Sequence, residues 1–267
     1  MSKVVLITGA SSGIGKSIAE YLTDKGMIVY GTSRNPDKAS PVNFQMLSLD
    51  VTNTNSISKA IDQLINKEGK LDIVINNAGM GITGPVEETP AQEMRRVFET
   101  NFFGAIEVMK TVLPQMRMQQ SGLIINITSI AGYMGLPFRG IYSSTKGALE
   151  LVSEATRMEV KQFGIKVVNI APGDFATNIA TGRYHTPVLE DSAYKEKYAE
   201  NLALMNSHVD SGMDPLHMAK TVYKIINTQN PKVHYKVGTF MQKFSIVLKR
   251  ILPDRIYEKL LMNHYKL

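Results

Sequence analysis

Tyr142 and Lys146 stand four residues apart at the start of a helical stretch, Tyr142-Ser143-Ser144-Thr145-Lys146. Side chains four apart share one face of a helix, so this phenol and this ammonium can point into one cleft. A free phenol titrates near pH ~10 and is a poor acid-base catalyst at neutrality. A neighbouring ammonium favours the phenolate and makes the hydroxyl a usable proton donor or acceptor. The chemistry implied is proton transfer at an oxygen. Tyr-x-x-x-Lys alone also arises in helices that do no chemistry, so its meaning rests on its surroundings.

A second set of residues suits an anion. Thr8-Gly9-Ala10-Ser11-Ser12-Gly13-Ile14-Gly15 follows the apolar run Val4 to Ile7 and opens a helical pattern. Glycines there permit a tight turn and close backbone approach, and the first amides of a helix, with its dipole, face a pyrophosphate. An ordinary strand-to-helix turn is the alternative for the glycines alone; their place after the first strand favours the phosphate cradle.

The elements that must position these groups alternate along the chain. Val4–Thr8, Ile28–Thr32, Gln45–Leu49, Ile73–Asn76, Leu123–Thr128 and Lys166–Ala171 read as strands, and Ser12–Lys25, Ser56–Glu68, Ala91–Gln119 and Tyr142–Phe163 as helices. This order predicts an α/β fold: a doubly wound, Rossmann-like parallel sheet in a single domain, with strands buried on both faces. Gly122 and Gly164 punctuate helix-to-strand turns. After Ala171 the rhythm changes, with a helix expected near Ser192–Leu204. Ligands of such sheets bind beyond the carboxyl ends of the strands, so residues 174–212 read as a substrate cover, the alternative being a surface excursion. Residues 1–238 form the expected dinucleotide-binding domain and 239–267 an extension.

The spacing Gly-x-x-x-Gly-x-Gly after a threonine differs from Gly-x-Gly-x-x-Gly and resembles the cofactor turn of the short-chain dehydrogenase/reductase family. Asn76-Asn77-Ala78-Gly79, ending the fourth strand, is similar to the family's Asn-Asn-Ala-Gly, and Asp50-Val51 ends the third strand. The resemblance implies that Gly9, Ser11, Ser12, Gly13, Ile14 and Gly15 hold the pyrophosphate, that Asp50 and Val51 line the adenine pocket, and that Asn77, Ala78 and Gly79 also bind cofactor. Ser129 lies thirteen residues before Tyr142, as in the family's Ser–Tyr–Lys arrangement, where its hydroxyl holds the substrate oxygen. Asn101, in Glu99-Thr100-Asn101-Phe102-Phe103-Gly104, matches the helix asparagine whose backbone carbonyl holds a water in the relay to the lysine.

The catalytic set so implied is Asn101, Ser129, Tyr142 and Lys146, the last also hydrogen-bonding the nicotinamide ribose. Pro172-Gly173 with Thr177 resembles the loop that touches the carboxamide; Asp174 between them reads as a turn residue rather than a catalytic one. The reaction implied is NAD(P)-dependent hydride transfer to or from a carbon bearing oxygen. The family further implies homodimers or homotetramers through the segments 91–119 and 142–163. The resemblance is specific over Lys3 to Thr177 and extends loosely to steroid- and retinol-type members through the tail.

Choice between the two nicotinamide cofactors is electrostatic, because a carboxylate at the end of the second strand repels the 2′-phosphate. Ser33 occupies the position that is acidic in NAD-preferring relatives, and Arg34 follows it. A hydroxyl and a guanidinium suit the phosphate, so NADP(H) is expected over NAD(H), and carbonyl reduction is the expected direction. Arg34 as a mere solvated loop residue is the alternative.

Composition narrows the rest. The 267 residues are 43% hydrophobic and 20% charged, ordinary for a compact globular domain. No cysteine is present, which removes disulfides and thiolate metal sites, and the five histidines show no short metal-ligand spacing. The run after Met1-Ser2-Lys3 is too short for a signal core, so a cytoplasmic protein is expected. A net charge of +6 and a pI of about 9.3 raise the question of nucleic acid, but the basic residues are scattered. Phosphates of a cofactor or an anionic membrane suffice as partners.

Met80, Ile82, Ile130, Met134, Leu136, Phe138, Phe175 and Ile179 flank the motifs and make an apolar wall suited to a lipophilic ketone of steroid, retinoid or acyl type. Core packing explains any one of them equally well. The segment 240–267 alternates apolar residues with lysine and arginine, broken at Pro253. Such a pair of basic amphipathic helices lies on an anionic membrane, packs on the domain or meets a second subunit. Two rival functions remain: a catalytically inactive NADP-binding regulatory protein, which needs no acid-base tyrosine, and an extended-branch epimerase, disfavoured by the glycine spacing and the length.

Overall fold

The computed structural model describes the chain apart from Met1 and residues 39–40, 177–181 and 211, and apart from the side chains of 38 and 206–210. Apolar runs at the positions expected form β1 (Val4–Ile7), β2 (Ile28–Ser33), β3 (Gln45–Ser48), β4 (Ile73–Asn76), β6 (Gly122–Ile127) and β7 (Ile165–Pro172). A seventh strand, β9 (His234–Val237), completes a sheet of order β3-β2-β1-β4-β6-β7-β9, with every neighbouring pair parallel. A separate short pair joins β5 (Ile82–Thr83) to β8 (Tyr184–His185). Strand order reverses between β1 and β4, the place where an open α/β sheet leaves a crevice at its carboxyl edge.

Alternate residues of each strand feed two cores. Val5, Ile7, Ile75, Ile125 and Val168 pack on one face with the buried sides of α1 (Gly13–Asp24) and α7 (Leu216–Ile226). Leu6, Val74, Ile124 and Val167 pack on the other with α2 (Thr54–Glu68) and with the helices that follow β5 and β6. The expected helix 91–119 is three pieces: α3 (Ala91–Phe98), a π-helical turn (Glu99–Phe103) and α4 (Gly104–Met118). The expected helix 142–163 begins earlier, as α5 (Gly140–Glu159), and ends in a 3-10 turn at Lys161–Phe163. In the cover, α6 (Lys195–Asp210) runs further than the expected 192–204.

A polar row crosses the α5 face of the sheet. Asn76, Asn126, Asn169 and His234 stand in register on β4, β6, β7 and β9. Asn76 Nδ2 donates to Asn126 Oδ1 at 2.8 Å, and Asn126 Nδ2 to Ser153 Oγ of α5 at 2.7 Å. Buried Glu150 of α5 collects the rest: Thr128 Oγ1, Tyr133 OH at 3.1 Å, Asn169 Nδ2 at 3.1 Å and His234 Nδ1 at 2.7 Å. Burial and this carboxylate push the Tyr133 phenol up. His234 also meets Glu154 at 3.0 Å, a grouping of two carboxylates and an imidazole that the sequence spacing does not reveal. A buried carboxylate with several donors fixes α5 in height and rotation against three strands, because leaving any donor unpaired in the core is costly.

The tail forms α8 (Phe240–Ile251) and α9 (Asp254–Tyr265), separated at Pro253. Ile246 and Tyr257 join Ile130, Met134 and Ala171 in a third apolar cluster, so the extension packs on the carboxyl edge of the sheet.

Glu150→Ala removes the carboxylate that Thr128, Tyr133, Asn169 and His234 share. Urea denaturation should show a loss of about 2–4 kcal/mol relative to wild type, and a loss under about 0.5 kcal/mol would show that the row does not hold α5.

Candidate active site

The glycine turn sits between β1 and α1. Gly9 adopts φ +66°, and a Cβ there would lie 2.9 Å from the Ala78 Cα, so only glycine lets the turn lie against the segment after β4. Thr8 Oγ1 accepts from the N–H groups of Asn77 and Ala78, each at 3.0 Å. Asn77 Nδ2 donates to the carbonyls of Thr8 and Gly9 at 3.0 and 2.9 Å. Asn77 therefore braces the turn. Ser12 makes no side-chain cap, and the first turn of α1 carries no acid, so its amides and dipole are left for an anion. The residues present fit a dinucleotide pyrophosphate.

At the end of β2, Ser33 Oγ accepts from the Asn35 N–H at 3.1 Å and Arg34 is exposed. Asp50 and Val51 follow β3; Asp50 Oδ1 accepts from Thr52 N and Oγ1 at 2.9 and 2.8 Å, while buried Val51 packs on Gly104. Pro172 ends β7 at the same edge with Gly173 following it, and Thr177 lies outside the described residues.

Ser129 leaves β6 as the cap of a 3-10 turn, Ile130–Tyr133, and its Oγ accepts from the Ala131 N–H at 3.1 Å. That leaves its O–H free to turn outward and donate. The turn touches α5 backbone to backbone: a Cβ on Gly132 would lie 3.0 Å from the Gly147 nitrogen, and one on Gly147 2.9 Å from the Gly132 oxygen. This approach ties the turn after Ser129 to α5, and Ser129 and Tyr142 both line one cavity of about 680 Å³.

Lys146 lies behind them, 5% exposed, donating from Nζ to the Ile127 carbonyl at 2.9 Å. Burial lowers its pKa below the ordinary lysine range, opposed by the negative charge available at Tyr142 and Glu150. Asn101, in the π-helical turn, is held by its own side chain: Oδ1 accepts from Met80 N–H at 2.8 Å, and Nδ2 donates to Met80 O at 2.9 Å and Thr145 Oγ1 of α5 at 3.2 Å. A Cβ on Gly79 would stand 3.2 Å from Asn101 Oδ1 and 3.5 Å from Lys146 Nζ, which shows how closely the three converge. The arrangement can exchange a proton with an oxygen in the cavity and carry charge on a buried ammonium behind it.

A family model described as short chain dehydrogenase matches residues 3–187. The 3-ketodihydrosphingosine reductase of Bacteroides thetaiotaomicron is 40% identical over 264 residues, 98% of each chain. The NADPH-dependent 3-dehydrocapnine reductase of Ornithobacterium rhinotracheale is 29% identical over 277 residues, 99% of this chain and 98% of that one. A crystal structure of a short-chain dehydrogenase from Streptomyces avermitilis superposes with TM-score 0.82 at 32% identity, covering 100% of this chain and 96% of that chain. The chain belongs to the short-chain dehydrogenase/reductase family. As a short-chain dehydrogenase/reductase it is an NAD(P)-dependent oxidoreductase.

Of the expected apolar wall, Ile82, Ile130, Met134, Leu136 and Phe175 line the cavity. Met80 does not, and Phe138, at φ +56°, instead lays its ring against Tyr198 of α6 with centroids 5.3 Å apart; Ile179 lies outside the described residues. Sequence reasoning missed the tail's share of this short-chain dehydrogenase cavity: Met241, Leu248, Tyr257 and Leu261 close it. It also missed Arg139 and Arg183. Arg139 was within reach, standing one turn before Tyr142, whereas Arg183 comes from the cover, whose path no motif fixes.

Lys146 bears on stability with a definite sign. Its folded-state pKa lies below the unfolded value, so the cost of burying the cation is present below the folded-state pKa and relaxes as pH rises through it toward the lysine range. Lys146→Met should therefore lose about a hundredfold or more in turnover while its Tm at pH 7 stays level or rises, the advantage over wild type shrinking toward pH ~10. A Tm well below wild type at pH 7 would refute that reading of the buried ammonium.

Proposed function

We propose that this chain is an NADPH-dependent carbonyl reductase acting on a lipophilic ketone, with Asn101, Ser129, Tyr142 and Lys146 as its working set. One observation carries the reading: Ser129 and Tyr142 open onto a cavity whose remaining wall is mostly apolar and is closed by the tail helices. Ser129 holds the ketone oxygen, and the Tyr142 phenol gives that oxygen a proton. Bound NADPH supplies the hydride. Lys146 keeps a positive charge behind the phenol and reaches the nicotinamide ribose, and the backbone carbonyl of Asn101 holds the water that resupplies the proton. Reductases among the relatives support the direction, one of them named as NADPH-dependent.

Gly9, Ser11, Ser12, Gly13, Ile14 and Gly15 would cradle the pyrophosphate, Asp50 and Val51 would line the adenine pocket, Asn77, Ala78 and Gly79 would also bind cofactor, and Pro172 and Gly173 would touch the carboxamide; Thr177, expected there from the sequence, lies outside the described residues. Ser33 and exposed Arg34, with no acid at the end of β2, favour the 2′-phosphate.

The cavity mouth supports a lipid substrate. Met241 and Leu260 line the cavity and are themselves 66% and 46% exposed, beside Phe240 at 72%. With Lys243, Lys249 and Arg255 on the same two helices, the tail serves as a roof and as a peripheral contact with an anionic membrane facing the cytoplasm. No helix among the described residues is long and apolar enough to cross a membrane. Exposure of Phe103, Leu151 and Met158 supports the face around α4 and α5 as the surface for a homodimer or homotetramer.

NADPH consumption with methyl 3-oxododecanoate tests the reaction. Tyr142→Phe should lose about 10²- to 10⁴-fold in turnover and still bind NADPH by fluorescence; retained turnover refutes the assignment. For the cofactor, Arg34→Asp should lower the NADPH-to-NADH ratio of kcat/KM by about tenfold or more, and a wild type using both equally contradicts the preference. In flotation with phosphatidylglycerol liposomes, wild type should rise with the vesicles and a Phe240→Ser/Met241→Ser double variant should not; equal flotation removes the membrane contact.

A further inference from the structure

The cavity is apolar at the tail and cationic beside Tyr142. Arg183 immediately precedes β8 and lies across Gly81, where a Cβ would come 2.8 Å from its Cγ. Arg139 closes the approach to α5, its guanidinium 5.5 Å from the centroid of the Tyr142 ring. Both arginines line the cavity. Arg183 Nη1 is buried with no hydrogen-bond partner among the described residues, and no ion pair among them engages either guanidinium. Arg139 instead shares a hydrogen bond with Tyr265 of α9. Burial and repulsion from Arg139 both disfavour the charge on Arg183.

Two guanidiniums face one carboxylate. Asp174 is the acid on the described wall, and its Oδ2 is already taken by Gln242 Nε2 at 2.7 Å. A half-buried cation with a buried, idle N–H is costly to maintain, and what offsets it is an anion that arrives with the ligand. The forked, planar donors of arginine match a carboxylate, sulfonate or phosphate.

We infer that the substrate carries an anionic group close to its ketone, bound between Arg183 and Arg139, with its hydrocarbon part running toward α8 and α9. The inference rests on Tyr142 as the proton donor, because the two arginines flank that phenol and so fix the distance between anion and carbonyl. An anion held there seats the ketone against Ser129 and Tyr142, and the same pair rejects substrates with a cation at that position. The reaction balances as a simple reduction: hydride from NADPH to the carbonyl carbon, proton from Tyr142 to its oxygen, yielding NADP+ and a secondary alcohol.

The test compares 3-oxododecanoate with its methyl ester, which has the same chain and ketone but no charge. Wild type should favour the acid in kcat/KM, and Arg183→Gln and Arg139→Gln should each lower the acid-to-ester ratio by about tenfold or more, with Arg183→Lys falling between. Because the ratio is taken within one preparation, a general loss of folding cancels. An unchanged ratio in both glutamine variants overturns the inference, as does a rise confined to the KM for NADPH, which would assign the arginines to the cofactor. Turnover of the ester alone by wild type sinks the anion site and leaves the reductase standing; turnover of neither compound sinks the reductase reading and this inference with it.

Discussion

A lysine ammonium held out of water behind a tyrosine is the constraint around which this molecule is organised. Burial makes the charge on Lys146 unfavourable, and the Ile127 carbonyl with the negative character of Tyr142 and Glu150 makes it tolerable. Such a balance requires that α5 sit at one height and one rotation. The Glu150 network on one side and the contact between Gly132 and Gly147 on the other impose both. A buried charge is a poor way to stabilise a fold, so its presence at the centre points to chemistry.

The sheet contributes by gathering its carboxyl ends. β1 delivers the glycine turn, β4 its Asn77 brace, β6 Ser129 and β7 the Pro172-Gly173 corner, all along one edge. Polar side chains that hold this edge are used twice over: Thr8 and Asn77 tie two loops together, and Asn101 ties Met80 to α5. The tail and the cover then add a roof, with Tyr257 and Ile246 anchoring α8 and α9 to Ile130 and Met134. The proposed proton-transfer groups thus sit at the strand ends, while the tail and the residues before β8 line the rest of the cavity.

The parallel sheet was legible because its strands are apolar runs separated by helices of regular period, and six of seven were found within a residue or two at each end. β9 was not, since His234-Tyr235-Lys236-Val237 is short, half-buried and carries two basic residues, as an edge strand does. The π-helical turn at Glu99–Phe103 left no mark on periodicity, because one widened turn shifts the phase too little to see over the segment 91–119. Tyr142, Lys146, Ser129 and the glycine turn were readable as spaced motifs. Arg183 and the tail's lining residues were not, since their meaning depends on where a long insertion and two terminal helices come to rest.

The buried pair can be observed directly by nitrogen-15 NMR of lysine side chains across a pH titration of the intact protein. The account predicts that the Lys146 Nζ titrates below the exposed lysines, and lower still when Tyr142→Phe removes the hydroxyl that helps to favour its charge. A Lys146 that titrates with the surface lysines and does not respond to the loss of that hydroxyl would contradict it.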